Sequence, residues 1–363
     1  MTVKLTGVGV HIYSGGFTIG MEQAGVEVLA QLEELDAGFE TAQLNLATRM
    51  DHTLAPYEDW PLRTYQNRVN IVYANPPCAP WSLAGGRKGM DDPRIVYAMD
   101  SLDAGLKLNA DFIVIESVCR AWSPTGGRPL FERFAHKAMR DGYAVTIFFT
   151  NAVLHGAPQL RQRFHFIAHK YEIRDLFTIA PLTYGDVSTV RDTIGDLEDR
   201  PDDEAWGHSR TVPDERELNV IRDLQQGESW GDAWRRVMAR GLPAKPARFI
   251  AHRLIYDAPC GTILDIGAMV HPTQDRVLTL REGARLCGYP DDFQFARGKR
   301  GFHNSDVTQA VLPFVGRYLG AVFSLGMRRG LRVDGRDGIE VIDLRSFAKP
   351  FMPKKFISAG RPV

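Results

Sequence analysis

The chain has 363 residues, enough for about two domains at the usual size. Apolar residues make up 44% and charged residues 24%, an ordinary globular balance that excludes a mainly disordered chain. Lys plus Arg equals Asp plus Glu, 44 against 44, so the formal net charge is zero and a nucleic-acid partner would have to meet a local basic face.

No run reaches the roughly 18 uninterrupted apolar residues of a membrane span. The start, MTVKLTGVGVHIYSGGF, reads as a strand and a glycine turn rather than a signal peptide. In chain order, VKLTGVGVHIY predicts a strand, SGG a turn, FTIGMEQAG a helix, VEVLAQL a strand and DAGFETAQLN a helix. VNIVYAN, ADFIVIES and YAVTIFFTN carry the same strand character, separated by helical IVYAMDSLDAGLKLN and LFERFAHKAMRDG. Apolar strands alternating with helices predict an α/β, doubly wound, largely parallel sheet, whose ligands bind beyond the carboxyl ends of the strands. After about residue 176 the chain turns polar, with helical ERELNVIRDLQQG and WGDAWRRVMARG and no long buried strand. The tryptophans of the second helix either pack inward or, with the basic residues around them, contact nucleic acid. Thr279 and Glu282 form a capping box ahead of the helix LREGARLCGY. The last helix, VTQAVLPFVGRYLGAVFSLGMRRG, is expected to kink or start at Pro313.

The unusual residues fall at strand ends. Cys78, in ANPPCAPWS directly after VNIVYA, sits on a loop that its prolines keep out of helix, and a thiol so held suits a nucleophile. Glu116 closes the apolar strand ADFIVIE, where a carboxylate needs a partner and can serve as an acid. Arg161 and Arg163 in GAPQLRQRFHFIA, two apart on a strand, are expected on one face at the mouth of a buried strand, as fixed bidentate donors. Cys119, Cys260 and Cys287 show no paired spacing with Cys78, so a reducing cytoplasm fits better than a disulfide framework.

Taken in order, these segments resemble the cytosine-C5 DNA methyltransferase family. NPPCAPWS is similar to its catalytic Pro-Cys loop, and IESV to its Glu-Asn-Val motif with Ser117 where Asn is usual. GAPQLRQRFHFIA is similar to its Gln-x-Arg-x-Arg motif through Gln159, Arg161 and Arg163. HPTQDRVLTLREGARLCGYPDDFQF is close to its arginine-rich helix, and residues 190–199 and 257–264 resemble its connecting segments. The resemblance covers about residues 9 to 320.

It implies a Rossmann-like methyltransferase sheet with a smaller second domain. Residues 1–180 would form the catalytic domain and 181–275 a short target-recognition region. Residues 276–330 would return to the catalytic domain, and 331–363 would be a peripheral tail. Cys78 would be the nucleophile toward C6 of cytosine, Glu116 the acid at N3, and Arg163, with Arg161, the cation at O2. S-adenosylmethionine would meet Tyr13, Gly15, Gly16, Phe17, Pro76, Gln309, Val311 and the acid Glu33, with Glu34 as the alternative acid. Duplex DNA would meet Ser82, Arg87, Lys88, Gln159, Arg235 and Arg236, and no metal is implied. The chain departs from the pattern in its shortened first turn, which lacks Asp, and in Thr308–Gln309–Ala310–Val311 in place of Gly-Asn-Ala/Ser-Val. These departures keep a different one-carbon donor, and RNA or a free nucleotide as substrate, open as alternatives.

Overall fold

A computed structural model describes residues 4–46, 50–82, 85–86, 88–178, 186–246, 251–298, 301–302, 304–335 and 338–352. The chain divides into two units, and each is described by itself.

Unit 1 comprises Met1–Asn151, Gln162–Ala180 and Ala310–Phe347. Its first strands and helices are β1 (Thr6–Val10), α1 (Gly16–Gln23), β2 (Glu27–Glu33), α2 (Phe39–Leu46), β3 (Asp51–Leu54) and α3 (Leu62–Tyr65). They continue with β4 (Ile71–Ala74), α4 (Ile95–Lys107), β5 (Phe112–Ser117), α5 (Arg128–Arg140), β6 (Ala144–Asn151) and β7 (Gln162–His169), and close with α11 (Pro313–Arg329) and β12 (Ile339–Asp343). One eight-stranded sheet runs in the order β12-β6-β7-β5-β4-β1-β2-β3. All neighbours pair in parallel except β7, which is antiparallel to both β5 and β6.

The sheet is buried on both faces, as the near-continuous apolar strands predicted. On one face alternate residues such as Val8, Val72, Ile113, Ile147 and Phe166 meet Leu102 of α4 and Phe131 of α5. On the other, Phe112 stacks on Phe323 of α11 at 4.8 Å. Helices α1 and α11 approach closely because Gly20 and Gly316 face each other: a Cβ on Gly20 would lie 2.3 Å from the Pro313 carbonyl oxygen. The proline starts α11, one of the two outcomes expected for it. By length and composition alone Asn304–Arg329 is apolar enough to cross a membrane, but 61% of its apolar 18-residue segment is buried inside the protein, the pattern of a core helix.

Unit 2 comprises Ala152–Arg161, Pro181–Gln309 and Ala348–Val363. It holds α6 (Val190–Ile194), α7 (Glu215–Asp223), α8 (Trp230–Ala239), α9 (Leu280–Leu286) and α10 (Asn304–Thr308), with the two-stranded pairs β8 (His252–Arg253) with β9 (Met269–Val270) and β10 (Arg297–Gly298) with β11 (Gly301–Phe302). Helices α6, α7 and α9 each start with a capping box, including the Thr279–Glu282 pair read from the sequence. In α8 Trp230 is buried and Trp234 half-buried, so the inward packing holds for the first and partly for the second.

Three stretches differ from the expectation. Residues 152–161, expected in the catalytic domain, group with unit 2. Residues 276–309 also group with unit 2, where the Arg285 guanidinium pairs with Asp196 at 2.6 Å and the Arg281 guanidinium stacks on Trp206. Residues 339–343, assigned to a peripheral tail, form β12 and extend the sheet beside β6.

Candidate active site

Cys78 follows β4 on a turn in which the amides of Trp81 and Ser82 both donate to its carbonyl at 3.0 Å. Pro76, Pro77 and Pro80 stiffen the turn, and Trp81, 3% exposed, anchors it in the core. Gly85 backs directly onto it: a Cβ there would lie 2.0 Å from the Ala79 carbonyl oxygen. The Ser82 hydroxyl accepts from the Gly85 amide at 3.1 Å. The thiol itself is half-buried and free, and the Arg94 guanidinium is close enough to interact with it electrostatically. Asp92 holds Arg94 through its Nε and Nη2, at 2.8 and 2.7 Å.

Glu116 is the penultimate residue of β5, which lies beside β4 in parallel register, Ala74 opposite Ile115. The next step along each strand brings Asn75 opposite Glu116, and the Asn75 Nδ2 donates to Glu116 Oε2 at 2.8 Å. In the antiparallel register Glu116 faces His165 of β7, so Arg163, two residues away on the same face, reaches diagonally. Its Nε lies 2.8 Å from Glu116 Oε1. The carboxyl group, on a residue 3% exposed, therefore has a charged donor on one oxygen and a neutral amide on the other. Asn75 was quoted in the sequence without a role; its signal was an amide immediately ahead of Pro-Pro at a strand end.

At the carboxyl end of β1 the chain makes a tight turn with positive φ at His11 (49°), Tyr13 (61°) and Gly15 (97°). Left-handed conformations at His and Tyr cost roughly 1 kcal/mol or more each and persist only where neighbours enforce them. The Glu33 carboxylate does so by accepting from the amides of Ile12 and Tyr13, at 2.5 and 3.2 Å. Burial pushes its pKa up, opposed by His11 and by those two amides. The Nδ1 of buried His11 lies 3.7 Å from Glu33 Oε2, neither ring nitrogen has a hydrogen-bond partner among the described residues, and the ring packs 5.2 Å from both Trp60 and Tyr97. Burial, and then Glu34, push the nearby Asp100 up to about 6. Sequence reasoning gave His11, Trp60, Tyr97 and Asp100 no role in this cluster of aromatic rings and acids.

Other expected residues are placed differently. The Phe17 ring is fully buried against Tyr73 at 5.0 Å, in the core rather than on an open ligand face. Pro76 and Val311 are buried in unit 1 and Gln309 is exposed in unit 2, while Gly16 begins α1. Arg161 precedes β7 rather than lying on it, and is buried in unit 2, where its Nη1 donates to the Thr308 carbonyl at 2.8 Å. Gln159, expected against nucleic acid, is fully buried in unit 2 because its amide joins chain segments: Nε2 donates to the Leu286 carbonyl at 3.3 Å and Oε1 accepts from the Ile263 amide at 3.4 Å. Arg235 is paired with Asp232, and Arg236 with Asp223 and Glu228, so both cations already have anionic partners. Lys88 is exposed, and Arg87 lies outside the described residues.

The profile of the C-5 cytosine-specific DNA methylase family matches residues 10–322. The chain belongs to that family. A type II methyltransferase of Haemophilus parahaemolyticus, M1.HphI, is 28% identical over 86% of this chain and 85% of its own length. M.MthTI of Methanothermobacter thermautotrophicus is 28% identical over 78% of this chain and 86% of its own. Among solved structures, a protein described as a prophage-encoded DNA modification methyltransferase of Escherichia coli superposes with a TM-score of 0.69 at 19% identity, covering 90% of this chain and all of that one. A Spodoptera frugiperda DNMT2 variant gives 0.55 at 14% identity over 88% of this chain and 99% of its own. These two likenesses show the Rossmann-like methyltransferase fold. Family and relatives together make this methylase-family chain a DNA cytosine-5 methyltransferase.

Proposed function

We propose that the protein transfers a methyl group from S-adenosylmethionine to C5 of cytosine in DNA through a bond between the Cys78 Sγ and C6 of the base. The observation that carries this reading is the Asn75–Glu116–Arg163 cluster, which ties a buried carboxyl group to the first residue of the loop that bears the half-buried thiol.

Cytosine C5 is a weak nucleophile. When the Cys78 thiolate bonds to C6, the electron pair of the C5–C6 double bond is released into the ring, and Glu116 donates its proton to N3. The Arg163 guanidinium stabilises charge developing at O2. C5 is then an enamine carbon able to take an electrophile. Once C5 carries the new carbon, a base removes its proton, the C5–C6 double bond re-forms, Cys78 leaves as thiolate and the N3 proton returns to Glu116. In a duplex C6 is shielded by stacking, so the base must swing out of the helix before the thiol reaches it.

The residues at the end of β1 and β2 suit the donor on the grounds of their chemistry. Acids accept from hydroxyls, aromatic rings cover a flat heterocycle, a buried imidazole nitrogen is free to hydrogen-bond, and Gly15 lets backbone approach closely. Glu33 or Glu34, Tyr13 and Val311 would hold it, and when bound it supplies an electrophilic methyl group. Exposed Lys88 is retained as a phosphate contact. Nucleoside mass spectrometry of DNA treated with the purified protein and donor tests the reading. Appearance of 5-methylcytosine supports it; a modified base in RNA alone, or none, refutes it.

A further inference from the structure

We infer that Asn75 is a positioning residue that fixes the plane of the Glu116 carboxyl group for proton donation to the base; the inference rests on the covalent reading above. The terminal torsion of a glutamate is broad, so one contact on one oxygen leaves the group free to rotate. Here the two oxygens are engaged from two strands, Oε1 by Arg163 Nε and Oε2 by Asn75 Nδ2, each at 2.8 Å. Asn75 is itself rigid: its backbone amide donates to the Val10 carbonyl of β1 at 3.3 Å, and the proline that follows restricts its backbone. A carboxyl oxygen has two lone-pair positions, so Oε2 can accept from Asn75 on one side and carry its proton on the other. The amide thus sets which way the acidic proton points. It does so without adding a charge, as a second arginine would, and so leaves the acid less biased toward the carboxylate. Among the described residues, the titratable groups set beside Glu116 include the Arg163 guanidinium and the His165 imidazole of β7 and the Cys119 thiol.

The test compares full-length wild type with Asn75→Ala and the isosteric Asn75→Asp in two readouts: the pH profile of kcat/KM on cytosine DNA and the rate of covalent adduct formation on 5-fluorocytosine DNA. Both variants should lose about tenfold or more in each rate, the size of a lost hydrogen bond to a charged group. A donor to the carboxylate lowers an acid's pKa, so removing it raises the pKa. The limb of the pH profile that Glu116→Gln abolishes should therefore move to higher pH by about one pH unit in Asn75→Ala, and further in Asn75→Asp, where an anion faces Glu116. A merely structural role for Asn75 would lower activity without moving that limb. Should Asn75→Ala fail to fold, Asn75→Asp, which keeps the shape, carries the measurement. A wild type that forms the Cys78 adduct, with the limb unmoved in the variants, overturns this inference alone. A wild type that forms no adduct overturns the covalent reading and the inference with it.

Discussion

Substituting Gly85 by alanine tests how strictly the thiol loop is positioned. An added Cβ would lie 2.0 Å from the Ala79 carbonyl oxygen and 2.4 Å from its Cα. Non-bonded heavy atoms settle at about 3.5 Å, so one of the two segments must move by about 1 Å or more. Ala79 follows Cys78 directly, and a displacement of about 1 Å in reacting groups can cost on the order of 100-fold in rate. Overpacking against backbone should also cost about 1–3 kcal/mol of stability. Steady-state methyl transfer, measured at a temperature where denaturation shows Gly85→Ala fully folded, separates the two effects: it should turn over about 100-fold more slowly. Activity within threefold of wild type there would refute the argument.

Glu116→Gln keeps the shape but cannot supply the proton to N3, and kcat should fall on the order of 100-fold in the same assay. In unit 2, Arg276 and Glu282 form a pair at 2.7 Å with side chains 6% and 0% exposed; Glu282→Gln leaves the guanidinium buried without its anion and should destabilise the protein by about 3 kcal/mol or more in urea titration. Burial holds His165 at about 3 and His271 at about 4, well below the roughly 6.5 of an unfolded histidine. Between those values the unfolded chain binds protons that the folded one does not. Stability should therefore be full above about pH 6.5 and fall toward pH 4, by about 1 kcal/mol per pH unit for each histidine. A flat stability profile across that range would contradict the assignment.

The central strands of unit 1 were legible because a sheet covered on both faces demands unbroken apolar runs, and Cys78 and Glu116 stood out as exceptions near their ends; the half-exposed edge strands β3 and β12 have no such runs and were missed. The direction of β7 was not legible: periodicity marks a strand but carries no sign, and only the pairing with β5 and β6 shows it antiparallel. That reversal brings Arg163 onto Glu116. The fates of Gln159 and Arg236 were hidden for a related reason. Polar side chains look alike in a sequence whether they face solvent or satisfy partners far along the chain, as Gln159 does at Leu286 and Arg236 at Asp223. Residues 276–309 were assigned to the catalytic part by motif order, but the Arg285–Asp196 pair and the Arg281–Trp206 stack join them to unit 2.

The central claim is a transient sulfur–carbon bond at residue 78. Intact-protein mass spectrometry after incubation with donor and 5-fluorocytosine DNA tests it most directly. Fluorine in place of the C5 hydrogen blocks the proton loss that would release the enzyme. The account predicts a mass gain equal to the methylated oligonucleotide, present in wild type and missing in Cys78→Ala. A wild type that methylates ordinary cytosine DNA but gains no mass here would contradict it.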